Sequence, residues 1–392
     1  MTTRITGGIV LLPQGMTKDV NVYMQDSKIS AVTASALPCD REIQAHGRYV
    51  APGFVEIHAH GAGGADFLDG TVEAFLTAAE THARYGVTTL IPTSTSGDIG
   101  AILALDQTLE AAQACNTCGA DMPGLHLEGP YFSYNQRGAQ DSRYLRNPQP
   151  EEYMHILKHC RHLMRWSIAP ELPGALDLGR ELRARSIVAA IGHSDAEYPQ
   201  VLAAWENGYT HVTHLYSGMS GVHRRNAYRY AGVVESAYLI DGMTVEIIAD
   251  GKHLPAELLR LVYKIKGPDH IALVTDAMRG AGMPDGPSML GHFRNGLPVI
   301  IEDGVAKLPD RTSFAGSVAT FNLLVRNMHD MANVPLDQVI TMASRTPAHI
   351  MGLHDRGLIQ AGLRADLTLF DEHIHVSHTI VAGRSVYQEE GC

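Results

Sequence analysis

No stretch of this 392-residue chain approaches the roughly 18 consecutive apolar residues of a membrane-crossing helix, which excludes that class of protein. The apolar run nearest the start, Ile9 to Pro13, is five residues long, too short for the core of a secretory signal. Cysteine is scarce: Cys39, Cys115, Cys118, Cys160 and Cys392 are odd in number and unpatterned, so they do not form a disulfide framework, and a reducing cytoplasm is the expected setting. Cys115 and Cys118 make a C-x-x-C with no second pair at zinc-finger spacing. Positive charge is also short, 31 Lys and Arg against 42 Asp and Glu, and a net charge of −11 argues against a nucleic-acid or anionic-membrane partner. Low-complexity segments and 20–50-residue sequence repeats are missing too, which removes disordered and solenoid classes.

What remains is the composition of a folded enzyme-sized protein, 45% hydrophobic and 19% charged, with one residue in excess: 21 histidines. The length exceeds the roughly 250 residues that one core usually serves, so one large domain and one small one are expected. From about residue 52 to 345 a short β-branched run is repeatedly followed by an amphipathic helical stretch. Val72, Phe75, Leu76 and Ala79 recur at helical spacing behind Thr71 as N-cap, and Ile99, Ile102, Leu103 and Leu109 follow in the next unit. Strand ends are expected near His58, Thr93, Glu128, Ala169, His193, His214, Ala249 and Thr275. Eight βα units predict a closed (β/α)8 barrel of TIM type spanning 52–345. Ile5–Val32 and Ala365–Tyr387 read as short strands, so residues 1–51 and 346–392 are expected to pair as a small β-sandwich domain. Residues 291–308 read as hairpins turning at Asn295-Gly296 and Asp303-Gly304.

Active sites of β/α barrels lie at the carboxyl ends of the strands, and here those ends are polar. The first expected strand finishes with His58 and His60, which project from one face of an extended chain and can reach one metal ion. Others end in Glu128, His193, His214 and Asp276. Any one of these alone is more often a solvated loop polar, but five strand ends delivering His or carboxylate to one mouth point to a metal centre. Nitrogen and carboxylate ligands without thiolate suit zinc or iron rather than calcium or magnesium. His211 is expected to pack and His126, a layer deeper than Glu128, to be a core residue.

The motifs Pro52-Gly53-Phe54-Val55-Glu56-Ile57-His58-Ala59-His60-Gly61, His126-Leu127-Glu128-Gly129-Pro130, Gly192-His193-Ser194, Thr213-His214-Leu215-Tyr216, Asp250-Gly251-Lys252-His253, Thr275-Asp276-Ala277 and Ala315-Gly316-Ser317 resemble the N-acetylglucosamine-6-phosphate deacetylase family of the amidohydrolase superfamily, in order along nearly the whole chain. The resemblance implies a metal-dependent hydrolase that removes the acetyl group of N-acetylglucosamine-6-phosphate. It implies Glu128, His193 and His214 as principal metal ligands, His58 and His60 as ligands of a second ion bridged by Glu128, and Asp276 as the catalytic acid–base. Substrate contacts carried over are His253, Ser217, Gly218, Ala139 and Gln140, with Arg225 reaching a neighbouring subunit's site, hence at least a homodimer. One or two divalent ions are expected, zinc or else iron. The family's usual Asn-Ala-Met is here Ser217-Gly218-Met219, and its Arg-Glu-Pro-Gly is Arg225-Asn226-Ala227-Tyr228. Both departures lie in the substrate loop, so N-acetylgalactosamine-6-phosphate or an N-acyl-D-amino acid are alternative substrates. A non-catalytic scaffold is disfavoured because every ligand position is kept.

Overall fold

The computed structural model describes residues 1–389; Cys392 lies outside the described residues. Eight short strands run through the middle of the chain: β1 (Phe54–Ala59), β2 (Val87–Pro92), β3 (Leu125–Glu128), β4 (Leu163–Ile168), β5 (Val188–Ile191), β6 (Tyr209–Val212), β7 (Thr244–Ile247) and β8 (Ile271–Leu273). Each of the eight strand ends expected from the sequence falls within two residues of an observed one. Strands β3 to β8 form one parallel sheet in chain order, and β1 pairs with β2 in a second. Isolated parallel bridges join these sheets at both seams, Thr89 to Asp121 and Thr93 to His126 between β2 and β3 and Ala59 to Ala277 beyond the end of β8.

A helix follows each strand, from α1 (Val72–Arg84) and α2 (Ile99–Cys115) onward. The Thr71 hydroxyl accepts from the Ala74 N–H at 3.1 Å and the Asp98 carboxylate from the Ala101 N–H at 2.9 Å, each satisfying an orphan donor of the first turn. Phe75, Ala78 and Ala79 of α1 then bury against the outer faces of the strands, in one continuous core with Leu90, Leu125 and Trp166. Alternation on β3 shows how the site is aimed. Leu125 and Leu127 join that outer core, while His126 and Glu128 turn inward.

Between β8 and the helix Phe321–Asp330 lies a three-stranded antiparallel sheet, Gly286–Leu290, Leu297–Glu302 and Val305–Lys307. The second turn is Asp303-Gly304, as the sequence predicts. The first is not the two-residue Asn295-Gly296 turn expected, but the longer connection 291–296. Its length follows from anchoring: the Gly291 and Phe293 N–H groups donate to Asp66 and Asp69, and Arg279 bonds both Asp69 and the Gly291 carbonyl.

Both ends of the chain are β-structure. Thr2–Thr6, Asn21–Gln25, Lys28–Thr33 and Arg41–Gln44 form a four-stranded sheet. Ile9–Leu12, Gly15–Thr17 and Tyr49–Pro52 from one end join Leu367–Phe370, Val376–Val381 and Arg384–Gln388 from the other in a six-stranded sheet. Ile5, Val22 and Ile29 share a core with Val10, Val50, Leu367 and Ile380, so the two sheets pack on each other. No helix of the described residues is long and apolar enough to cross a membrane.

Candidate metal centre

The polar strand ends converge. One carboxylate, Glu128 at the end of β3, belongs to two groups of potential metal ligands, with His58 and His60 on one side and His193 and His214 on the other. Its Oε1 lies 3.2 Å from His193 Nε2, 3.1 Å from His214 Nε2 and 3.5 Å from His58 Nε2, and its Oε2 lies 3.5 Å from His60 Nε2. Asp276 Oδ1 stands 3.1 Å from His60 Nε2 and 3.5 Å from His58 Nε2. All six residues are buried.

The donor set fits a divalent cation. His193 and His214 bring their Nε2 atoms within 3.2 Å of each other, and His58 Nε2 is buried with no hydrogen-bond partner, an arrangement that a shared cation satisfies. The electrostatics agree. Burial opposes a charge on His60, yet Asp276, Glu128 and Asp66 around it outweigh burial and raise its imidazole to about 9, so the carboxylates demand positive charge at this point. Deeper histidines behave oppositely: burial pushes His126 well down and His211 to about 4. His126 is held between Ser167 Oγ at 2.7 Å and Thr93 Oγ1 at 3.2 Å, and is not in either ligand group.

Three of these residues leave the sheet in strained backbone. His193, His214 and Asp276 have φ of 46°, 27° and 49°, the left-handed region that non-glycine residues seldom adopt. Each such residue costs about 1–3 kcal/mol and persists only where its surroundings fix it. Around His193 those surroundings are visible. Its Nδ1 donates to the Gln136 carbonyl at 2.8 Å, and Asp195 holds that loop by accepting from Ser133, Asn135 and Gln136. Gly218 (φ +56°) passes so close that a Cβ there would stand 2.8 Å from His193 Nδ1 and 2.9 Å from the Gln136 oxygen. Glycine at this position is matched to this contact.

A cavity of about 220 Å³ opens over the centre, bordered by His253, Ser217, Gly218, Ala139 and Gln140. His253 Nδ1 faces Asp250 Oδ2 at 2.7 Å and its ring packs on Phe314, which leaves Nε2 free. Gln140 is engaged at both ends of its amide: Oε1 accepts from the Ser96 N–H at 2.8 Å, so Nε2 must face Glu128 Oε2, at 2.5 Å. Arg225 lies elsewhere. It sits on the hairpin His223–Arg225/Tyr228–Tyr230, paired with Glu197 at 2.8 Å and stacked over Tyr230 at 4.0 Å. Among the described residues, no Lys or Arg borders the cavity.

Three buried ionisable side chains escaped sequence reasoning. Glu56 Oε2 accepts from the Thr275 N–H and hydroxyl at 2.8 and 2.6 Å, tying β1 to the segment that carries Asp276. Glu246 and Arg165 lie beneath the histidines, 2.5 Å apart. Burial opposes ionisation of Glu246, and Arg165 with His58 overcomes it, holding the carboxyl well below its usual range. The signal was present for Glu56, which shares the face of His58 and His60 at two-residue spacing.

Residues 49–386 match the amidohydrolase family. The N-acetylglucosamine-6-phosphate deacetylase of Vibrio furnissii is 34% identical over 86% of this chain and 82% of its own length. The N-acetylgalactosamine-6-phosphate deacetylase of Escherichia coli O157:H7 is 30% identical over 98% of this chain and 99% of its own. A solved structure of a Mycobacterium smegmatis N-acetyl-D-glucosamine-6-phosphate deacetylase mutant in complex with N-acetyl-D-glucosamine-6-phosphate superposes with a TM-score of 0.89 at 30% identity, covering 99% of both chains. A barrel mouth with two ligand groups joined at one glutamate, matched along nearly all its length, places the chain in the amidohydrolase family and, within it, in the N-acetylglucosamine-6-phosphate deacetylase family.

Proposed function

We propose that this protein hydrolyses N-acetylglucosamine-6-phosphate to glucosamine-6-phosphate and acetate. The observation that carries the reading is the pair of ligand groups sharing Glu128, with the Asp276 carboxylate beside them at the floor of the cavity. Glu128, His193 and His214 would hold the principal ion, zinc or else iron, and His58 and His60 with Glu128 a second. Such an ion supplies a water of pKa near roughly 7 and polarises the acetyl carbonyl.

The chain's own groups do the rest. Asp276 turns Oδ1 toward His60 Nε2, 3.1 Å away, which leaves Oδ2 to take a proton from the attacking water. As the carbonyl carbon gains that oxygen and the C–N bond breaks, the same carboxyl returns the proton to the departing nitrogen, because an unprotonated amine is a poor leaving group. Asp250 turns His253 so that Nε2 points at substrate, and Ser217, Gly218 and Ala139 wall the sugar. Gln140 holds Glu128 with one amide hydrogen and keeps the second for a sugar hydroxyl. Arg225 serves the site of a neighbouring copy in a homodimer or larger assembly, supplying the cation that the cavity's own walls do not.

The same reading takes residues 52–345 as a closed (β/α)8 barrel and residues 1–51 and 346–392 as one small β-sandwich domain, in a cytoplasmic protein. The E. coli relative keeps the galactosamine isomer as the second reading, and it uses the same centre. Acetate release from N-acetylglucosamine-6-phosphate, its galactosamine isomer and unphosphorylated N-acetylglucosamine, with zinc-loaded protein, tests the proposal. Turnover led by the phosphorylated glucosamine is expected; metal bound without turnover of any of the three overturns it.

A further inference from the structure

The binding of the second ion has a support that neither the family motifs nor the relatives' names assign, in the barrel interior one layer below the ligands. Glu246, on β7, lies wholly buried with both oxygens engaged. Oε1 stands 2.6 Å from His58 Nδ1 and accepts from the His214 backbone N–H at 3.0 Å. Oε2 stands 2.5 Å from an Arg165 guanidinium nitrogen and 3.3 Å from His211 Nε2. One carboxylate thus holds a side chain from β1 and the backbone of a ligand just past β6, with its charge balanced by an arginine on β4.

We infer that Glu246 is the positioning residue of the second metal site, fixing His58 as the tautomer with its proton on Nδ1 and its Nε2 lone pair turned into the site. A carboxylate oxygen 2.6 Å from Nδ1 cannot itself donate, so the hydrogen of that contact belongs to the imidazole. Nε2 is then left without a proton, and it is the atom that faces Glu128 and Asp276 with no hydrogen-bond partner. Histidine ligands backed by a carboxylate follow this pattern, and removing the backing group typically costs 10–100-fold in metal affinity. The inference rests on the reading of His58 as a metal ligand.

Glu246→Gln tests it, because Arg165 decides which way the new amide turns. The guanidinium has donors only, so the amide oxygen must face it, and the amide NH2 must then face His58 Nδ1. His58 can accept there only by moving its proton to Nε2, where it blocks the metal. Zinc titration of the apoprotein, followed by calorimetry and by metal content after dialysis, should show the second ion bound about 10–100-fold more weakly. The amide NH2 also meets the His214 backbone N–H, so the ion at Glu128, His193 and His214 is followed as its own titration step, and the second ion should weaken by more than the first.

In the double variant Arg165→Met/Glu246→Gln the guanidinium no longer claims the amide oxygen, which can turn to accept from His58 Nδ1 and the His214 N–H, and the second ion should regain affinity over the single variant. Cooperative melting of each variant verifies folding. Should Glu246→Gln fail to fold around an unpaired Arg165, Arg165→Met/Glu246→Met provides the comparison without an acceptor, and it should bind the second ion more weakly than Arg165→Met/Glu246→Gln. Wild-type affinity in folded Glu246→Gln, or a folded double variant no better than the comparison lacking the acceptor, overturns the inference. Because the readout is metal binding, failure here is separate from failure to release acetate, which bears on the proposed substrate.

Discussion

Acid should weaken this fold through a residue outside the catalytic machinery. His82 lies on the buried face of α1, where Nε2 donates to the Gly61 carbonyl at 3.3 Å. Burial pushes its imidazole down to about 4, and the hydrogen bond to Gly61 offsets only part of that. In the unfolded chain the same group titrates near 6.5. Between those values the unfolded chain binds a proton that the folded chain refuses, so stability present above about pH 6.5 is lost as the pH falls toward about 4. At about pH 5 the difference spans roughly 1.5 pH units at 1.36 kcal/mol each, a loss of about 2 kcal/mol. His82→Leu removes the proton site. Urea unfolding of both proteins at about pH 8 and about pH 5 isolates the effect, since any cost of the leucine common to both conditions cancels. The wild type should lose about 2 kcal/mol more than the variant. Losses equal within about 0.5 kcal/mol would refute the assignment of a neutral, desolvated His82.

Three further outcomes bear on the site. Asp276→Asn should retain its metal content while kcat falls by about 10²–10⁴, as expected when one group both takes and returns the proton; wild-type turnover with metal bound would remove it from the mechanism. His214→Ala should lose the ion at Glu128 and His193 together with activity, checked by metal content after dialysis; full retention would contradict the ligand assignment. Arg225→Ala should raise KM for the phosphorylated sugar by about 10–100-fold, the worth of about 1.5–3 kcal/mol for a charge-assisted hydrogen bond, and leave the unphosphorylated sugar unaffected. An equal effect on both substrates would place Arg225 in folding or assembly instead.

The strand ends and the polar residues they carry were legible in the sequence because both obey short-range rules, while the grouping around Glu128 came from the family resemblance. Two-residue alternation put His58 and His60 on one face, and the turn residues after each strand marked where the sheet ends. The supporting ionisable side chains were not legible, because their partners are remote in the chain. Glu56 and Thr275 are 219 residues apart, and Glu246 and His58 are 188 apart, so only the curled array of strands brings them together. Arg165 carries no sign of burial in its neighbourhood Leu163-Met164-Arg165-Trp166; its countercharge is what permits it to be there. The Asn295-Gly296 turn failed for a related reason, since Asp66 and Asp69 rather than local turn chemistry set the path of residues 291–296.

The cavity walls of a single copy carry no ammonium or guanidinium among the described residues, and the proposed function draws that cation from a neighbouring copy. Selectivity then becomes a property of protein concentration. On that proposal, an enzyme diluted until its subunits separate would keep its metal ligands and its acid–base but surrender the group that distinguishes a phosphorylated sugar from a plain one, so discrimination would fade before hydrolysis does.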